Sequence, residues 1–138
     1  MAKAIRTHRD LDVWQRAFDA SMALFEHTKQ FPREEMYSLT DQVRRSSRSV
    51  TTSITEAWRK RRYEKVFVNK LNDAEAEAAE TQDWIHYAVK CGYLERSLAA
   101  PLYKEYERLL RTLVGMIVHS DKWTFPETPE QARARKLV

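Results

Sequence analysis

The chain has 138 residues, of which 43% are hydrophobic and 32% are charged, with a formal net charge of +4. This length suits one domain with a real core, and a content of only two glycines and four prolines argues against a fold of many short strands and turns. No apolar run is long enough to cross a membrane, the first residues lack the apolar segment of a secretory signal, and the single cysteine excludes an internal disulfide, so we expect a cytoplasmic protein.

The first predicted helix covers about residues 10–29 and carries two apolar stripes. One stripe has the spacing of a buried helical face, and its members are Leu11, Trp14, Phe18, Met22 and Phe25. The other lies roughly opposite and consists of Val13, Ala17, Ala20 and Leu24. A bundle helix needs only one buried stripe. The second stripe is therefore either a tolerated apolar surface or, as we predict, an interface between subunits.

The second predicted helix covers about residues 34–60, with its start either near Arg33 or at Ser38, after Phe31-Pro32 has ended the first. Its buried line is formed by Leu39, Val43, Val50, Ile54 and Ala57, with Ser46, Ser47 and Ser53 in the gaps. Small side chains in such a line let a neighbouring helix approach closely. This gives a structural reason for some of the many hydroxyl groups between Ser46 and Thr55.

Two further helices are predicted at about residues 62–90 and 97–120. The third helix has an apolar stripe at steps of three and four from Tyr63 to Ala88, and Gly92 is well placed to terminate it. The stripe of the fourth helix is Leu102, Tyr106, Leu109, Leu113 and Met116. Residues 122–138 form a tail that is partly disordered or a short helix. Residues 1–121 are thus predicted to be an all-α, antiparallel up-down-up-down four-helix bundle.

The sequence does not support the common kinds of catalytic site. A di-iron bundle needs two Glu-x-x-His motifs, whereas this chain has one acid-x-x-His match, at Asp83 and His86. No histidine lies near the serine cluster to act as its base. The only glycines are Gly92 and Gly115, so there is no phosphate-binding loop. We predict no enzyme, no metal and no cofactor.

Positive charge is concentrated in one region. Residues 44–65 contain eight basic and two acidic residues, a local net charge of +6. On a helix, Arg45, Arg48, Thr52, Thr55, Arg59 and Arg62 fall on one line opposite the buried face, here called the Arg/Thr line. Both residue types are common phosphate contacts. The predicted nucleic-acid-binding residues are Arg44, Arg45, Arg48, Thr52, Thr55, Arg59, Lys60, Arg61, Arg62 and Lys65.

A second argument concerns the start of the third predicted helix. Arg61, Arg62 and Lys65 crowd this helix N-terminus, where the macrodipole favours acids, and an anion-binding role would explain that cost. Two other interpretations stay open at this point. The basic residues are a solvated face with a structural or solubility role, or they meet an acidic protein partner.

Several segments resemble the four-helix-bundle proteins encoded in bacterial 23S rRNA intervening sequences, once labelled ribosomal protein S23. The matching segments are HRDLDVWQRA, FPREEMYSLTDQVRRSSRSV and ITEA, with weaker matches in KLNDAEAEAAET and CGYL. They extend over about residues 8–121. The chain departs from the family pattern where an Asn and a Gly are replaced by Ser53 and Ala57, and where Gly-Ser becomes Ala76-Glu77. We expect Ala57 to let the second helix continue into WRKRR.

The resemblance implies a compact bundle that assembles into a ring, commonly a homopentamer. A distant relative is the accessory protein of diversity-generating retroelements, a basic pentamer that binds a reverse transcriptase and nucleic acid. By this analogy the chain is a homo-oligomer that binds RNA or DNA and serves a polymerase or reverse transcriptase. The alternative is a protein–protein adaptor or a structural ring whose basic face meets such an acidic partner.

Overall fold

Four long helices and one short helix make up most of the part of the chain that the computed structural model describes, residues 4–126 and 128–136. The helices are α1 (Asp12–Thr28), α2 (Leu39–Arg59), α3 (Glu64–Lys90), α4 (Arg96–Val118) and α5 (Pro129–Lys136). No helix within these residues is both long and apolar enough to cross a membrane.

The four long helices form an antiparallel bundle, as the sequence predicts. Helix α2 packs against α1 and α3, and α4 packs against α3 and α1. Hydrogen bonds and an ion pair also join neighbouring helices. Gln82 of α3 donates a hydrogen bond to Glu107 of α4 at 2.9 Å, and Arg16 of α1 pairs with Glu105 of α4 at 2.9 Å.

Helix α2 begins at Leu39 with Ser38 as its N-cap residue, which agrees with the later of the two predicted starts. Residues Arg33–Glu35 form a 3-10 turn instead. The Glu35 carboxylate accepts hydrogen bonds from the Ser38 hydroxyl and, at 3.4 Å, from the Leu39 backbone N–H. It therefore caps the first turn of α2 from the preceding loop. Glu35 can do this because it lies before the helix and its side chain reaches the backbone N–H at the helix start.

The α3–α4 connection confirms the predicted role of Gly92. Its φ angle of +79° lies in the left-handed region that glycine adopts without strain. The backbone N–H groups of Gly92 and Tyr93 donate to the carbonyls of Val89 and Ala88 at 3.0 and 2.9 Å. This pairing closes the end of α3 and turns the chain into α4.

The two stripes of α1 differ from their predicted places, although Leu11 of the first stripe is buried as expected. Val13, Ala17, Ala20 and Leu24 are at most 4% exposed, because they pack into the core of the same chain. The prediction of these four residues as a subunit interface is therefore wrong. Phe18 and Met22, expected in the core, are 44% and 45% exposed. The small Ala17 and Ala20 permit close approach of neighbouring helices, which the bulky stripe would prevent.

Candidate nucleic-acid interface

The buried serines of α2 hold the bundle together. Ser47 is fully buried, and its hydroxyl lies 2.9 Å from the Ser21 hydroxyl of α1. On the other side of α2, the Thr81 hydroxyl of α3 donates to the Ser46 hydroxyl at 2.8 Å. These pairs satisfy buried polar groups at two tightly packed helix contacts. The structure thus confirms that part of the hydroxyl cluster has a packing role.

The first basic residues of α2 are arranged around an aromatic ring of α1. The guanidinium carbons of Arg44 and Arg48 lie 4.9 and 5.8 Å from the centre of the Phe25 ring, and Lys29 Nζ lies 4.9 Å from it. Arg44 also donates to the Thr28 hydroxyl at 2.9 Å. Arg44 is half-buried, whereas Arg48 is exposed. Arg48 is consequently the more open of the two to a ligand.

The predicted Arg/Thr line does not act as one uniform surface. Arg45 is exposed but lines a small polar pocket of about 50 Å³ together with Glu77 and Glu80 of α3. Burial, with a hydrogen bond to Glu80 next, raises the pKa of the Glu77 carboxyl, and the charge of Arg45 opposes that rise. Arg45 is thus turned towards acidic groups, unlike Arg48.

The two threonines of the Arg/Thr line use their hydroxyls within the bundle. Thr55 accepts a hydrogen bond from the Trp14 indole at 3.1 Å and donates to the Thr51 carbonyl at 3.0 Å. Thr52 donates to the backbone carbonyl of Arg48 at 3.3 Å. Thr55 is therefore a contact between α1 and α2, which leaves its predicted role as a phosphate donor without geometric support.

The basic residues of WRKRR, at the turn between α2 and α3, differ in their surroundings. Arg61 is half-buried between two aromatic rings, with its guanidinium carbon 3.4 Å from the Trp58 ring centre and 4.8 Å from that of Phe125. Its Nε donates to the Trp58 carbonyl at 2.8 Å, while its own carbonyl accepts from the Phe125 N–H. Burial, and next the charge of Arg59, lowers the pKa of Arg61. Arg61 is thus engaged with the C-terminal segment, and its predicted role as a phosphate contact stays a prediction without geometric support.

The remaining cations of this turn are exposed. They are Arg59, Lys60, Arg62 and Lys65, and with Arg48 they form what is called the basic face below. Helix α2 ends at Arg59 and α3 begins at Glu64, so Ala57 lets α2 continue only as far as the first two residues of WRKRR. Because Arg61 and Arg62 precede α3, the predicted crowding of its first turn reduces to Lys65, which stands beside Glu64.

No carboxylate neutralises most of the basic face. Within residues 4–126 and 128–136, Arg48, Arg59, Lys60 and Lys65 have no ion pair within 4.0 Å. Glu56, the acid nearest to them on α2, is instead paired with Lys70 of α3 at 2.8 Å. This hydrogen bond raises the pKa of Lys70. Among the described residues, the charges of these four cations are therefore not paired with carboxylates.

An aromatic surface beside the basic face was not predicted as part of the site. Phe18 stacks on Trp14 with ring centres 5.1 Å apart and an angle of 11° between the planes. Trp14 is itself anchored to α2 through Thr55. The presence of two apolar stripes on α1 was the available signal, since one of them had to face outwards.

The part of the chain that the structure describes contains no group of three or more His, Cys, Asp or Glu side chains arranged to hold a metal ion. His86 is exposed on α3. What the arrangement offers is fixed positive charge next to exposed aromatic groups, which is the chemistry of polyanion binding.

The comparisons with known proteins agree with the fold. Residues 9–115 match the family model described as 23S rRNA-intervening sequence protein. The chain belongs to this family. A solved structure with the same fold is a protein of unknown function from the S23 ribosomal protein family of Bacteroides thetaiotaomicron VPI-5482. It is 24% identical, with a TM-score of 0.69, over 76% of this chain and 97% of that chain. No curated protein matches the sequence. The family description names no enzymatic activity.

Proposed function

We propose that this protein binds the phosphate backbone of RNA or DNA through the basic face, as a non-enzymatic component of the cytoplasm that accompanies a nucleic-acid enzyme. The observation that carries the proposal is a group of exposed cations that have no carboxylate partner within residues 4–126 and 128–136, namely Arg48, Arg59, Lys60 and Lys65. A folded domain gains little from like charges in one place. A polyanion would turn their mutual repulsion into attraction.

The expected binding is electrostatic and weakly dependent on base sequence. Contacts to phosphates position a protein on nucleic acid but carry no direct sequence information. The family description refers to intervening sequences of 23S rRNA. This makes an RNA oligonucleotide the first probe to use, with DNA of the same sequence beside it.

The test replaces the four cations of the basic face that lack carboxylate partners. We expect the variant R48Q/R59Q/K60Q/K65Q to lose most of its affinity for a fluorescently labelled RNA at about 50 mM salt. The variant neutralises fewer phosphates, so its binding releases fewer counterions from the RNA. Fluorescence anisotropy measures the binding constant. All four side chains are exposed, so the variant should fold, which circular dichroism verifies.

A matched control removes the same charge elsewhere. Lys90, Arg96, Lys104 and Arg111 are exposed on the α3–α4 side of the bundle, and K90Q/R96Q/K104Q/R111Q has the same net charge as the first variant. We expect this control to bind nearly as well as the original chain. Equal losses of affinity in the two variants, or no binding by the original chain, would contradict the proposal.

A second candidate function is favoured by the charge on the outer side of α3. Asp73 and Asp83 are exposed there, with Glu77 and Glu80 between them. We propose as the alternative that the basic face meets an acidic protein surface, either a partner such as a reverse transcriptase or α3 of the next copy in a ring. Light scattering then shows oligomers that R48Q/R59Q/K60Q/K65Q converts to monomers. A chain that is monomeric in both forms contradicts the ring.

A further inference from the structure

The outward stripe of α1, which consists of Trp14, Phe18, Met22 and Phe25, meets the basic face at Arg48. At one end, the Trp14 indole donates a hydrogen bond to Thr55 of α2 at 3.1 Å. At the other end, Arg44 and Arg48 of α2 lie over the Phe25 ring. Phe18 and Met22 lie between these two points on the same side of α1, since helical residues three and four apart are neighbours. The exposed Phe18 and Met22 therefore lie on the same side of α1 as the ring over which the exposed Arg48 is placed.

The bundle leaves this side of α1 partly exposed. Phe18 is 44% and Met22 is 45% exposed, although leaving such side chains in water costs hydrophobic free energy. The stripe is also ordered. Phe18 stacks on Trp14, and the Trp14 indole is held by Thr55. The result is an aromatic platform fixed in orientation before any ligand arrives, which lowers the entropy cost of binding.

We propose that this surface binds single-stranded nucleic acid, with the phosphates on the basic face and unpaired bases against Phe18 and Met22. The inference rests on the proposed function and names its ligand more closely. In a duplex the flat faces of the bases are stacked inside, and only their edges can be reached. In a single strand the bases can turn outwards and stack on aromatic side chains, while the backbone follows a positively charged groove.

The charge around the stripe favours this occupant over an uncharged one. Lys29, Arg44 and Arg48 surround Phe25. Lys29 is paired with Glu26 at 3.2 Å, but an apolar protein surface laid on the stripe would bury Arg48 without an anion to pair with it. A single strand supplies both flat apolar bases and negatively charged phosphates along the same chain.

The first test compares strands of the same length. Fluorescence anisotropy is measured for labelled oligo(dT) and oligo(U) of roughly 12 nucleotides, within the site sizes of single-strand binders, and for a duplex of equal length. We expect each single strand to bind at least about 10-fold more tightly than the duplex at equal salt. Equal binding of both overturns this inference and leaves the proposed function standing. No binding of any probe overturns both.

The second test replaces the platform. We expect Phe18→Ala to weaken single-strand binding by about 5- to 100-fold while duplex binding stays the same, and Phe18→Trp to retain single-strand binding. Tyr103→Ala is the matched control, because Tyr103 is an aromatic residue of similar exposure, 41%, on α4. If Phe18→Ala leaves single-strand binding unchanged, the inference is wrong. If it instead converts an oligomer of the original chain to monomers, the stripe is covered by a second copy and the inference is also wrong.

Discussion

Tyr106 is fully buried between the helices, and its hydroxyl has no hydrogen-bond partner among the residues that the structure describes. Burial raises the pKa of this phenol, with a further contribution from the charge of Glu105. Burying a hydroxyl in an apolar core without a hydrogen bond is destabilising, because its lost hydrogen bonds to water are not replaced. The ring itself fills the core beside Leu109 and Leu113, which are also fully buried.

We predict that Tyr106→Phe raises the free energy of unfolding by about 1 kcal/mol, because it removes the unsatisfied hydroxyl and keeps the ring. Urea denaturation followed by circular dichroism measures the change. Leu109→Ala is the control for a core position and should lower stability by roughly 2–5 kcal/mol. A loss of stability in Tyr106→Phe would show that the hydroxyl has a favourable partner and that this account of the residue is wrong.

Glu35 joins three separate parts of the chain. Its carboxylate accepts hydrogen bonds from Ser38 and Leu39 at the start of α2 and, at 2.9 Å, from the Tyr93 hydroxyl after α3. These bonds hold the pKa of Glu35 below its ordinary value of 4.5, with the Ser38 hydroxyl as the largest cause. The hydrogen bond to Glu35 is also the main cause that raises the pKa of Tyr93 from 10.0 to about 12.

The stability contributed by these groups should therefore depend on pH in two windows. For Glu35 it is fully present above pH 4.5 and is lost as the pH falls through the lowered pKa of the folded state. For Tyr93 it is fully present below pH 10.0 and is lost as the pH rises towards about 12. We predict that the difference in unfolding free energy between the original chain and Glu35→Gln is constant between these windows and shrinks within both.

Urea denaturation across the pH range measures that difference. Glu34→Gln is the control, because Glu34 is the exposed neighbour of Glu35 on the same turn and should show a nearly constant difference. A Glu35→Gln difference that does not change between pH 4.5 and the acid limit of folding would contradict the assigned role of Glu35.

At the scale of the element, α2 combines a tightly packed inner side with a charged outer side. Ser46 and Ser47 are at most 2% exposed and form the contacts to α3 and α1. Arg48, the next residue, is exposed. The packing contacts and the positive charge of α2 thus lie on different sides of one helix.

We predict that Ser47→Leu lowers the free energy of unfolding by about 1–3 kcal/mol, because the added volume has to push α1 and α2 apart. Ser47→Ala should cost only about 1 kcal/mol, the value of a single hydrogen bond. The matched control is Thr52→Leu on the exposed side of the same helix, expected within about 0.5 kcal/mol of the original chain. Urea denaturation compares them. Equal urea midpoints for Ser47→Leu and Thr52→Leu would mean that the contact between α1 and α2 at Ser47 is not tightly packed.

Helical spacing predicted the four long helices, and the structure confirms them. The same spacing could not decide which stripe of α1 lies inside, because Phe18 and Ala17 belong to stripes of the same period. Size was the missing information, since Ala17 and Ala20 fit between close helices. The sequence likewise left the start of α2 open between Arg33 and Ser38, because Glu35 is a good helix former in sequence and becomes a cap through its side chain.

The site was predictable as a region rather than as a set of contacts. The excess of positive charge in residues 44–65 is a property of the sequence. The engagement of Arg61 by the rings of Trp58 and Phe125 depends on a segment that is distant along the chain. In the same way, the use of Thr55 by Trp14 depends on how α1 packs against α2. Only tertiary structure separates cations that are open to a ligand from those already engaged.

At the scale of the whole molecule, charge is distributed unevenly around one bundle. Uncompensated cations collect on α2 and the α2–α3 turn, and exposed acids lie on the outer side of α3. The aromatic stripe of α1 borders the positive side. A polyanion should therefore approach from the α1–α2 side of the bundle, and its association should weaken steeply with salt.

The most direct test of nucleic-acid binding is its salt dependence. The binding constant for a single-stranded RNA of roughly 12 nucleotides is measured by fluorescence anisotropy at a series of salt concentrations, for the original chain and for R48Q/R59Q/K60Q/K65Q. We predict that the logarithm of the binding constant falls linearly with the logarithm of the salt concentration, and that the variant's slope is shallower by about 0.7 for each phosphate that it no longer neutralises. Identical slopes for the two proteins, or no measurable binding by the original chain at about 50 mM salt, would contradict the assignment of the basic face.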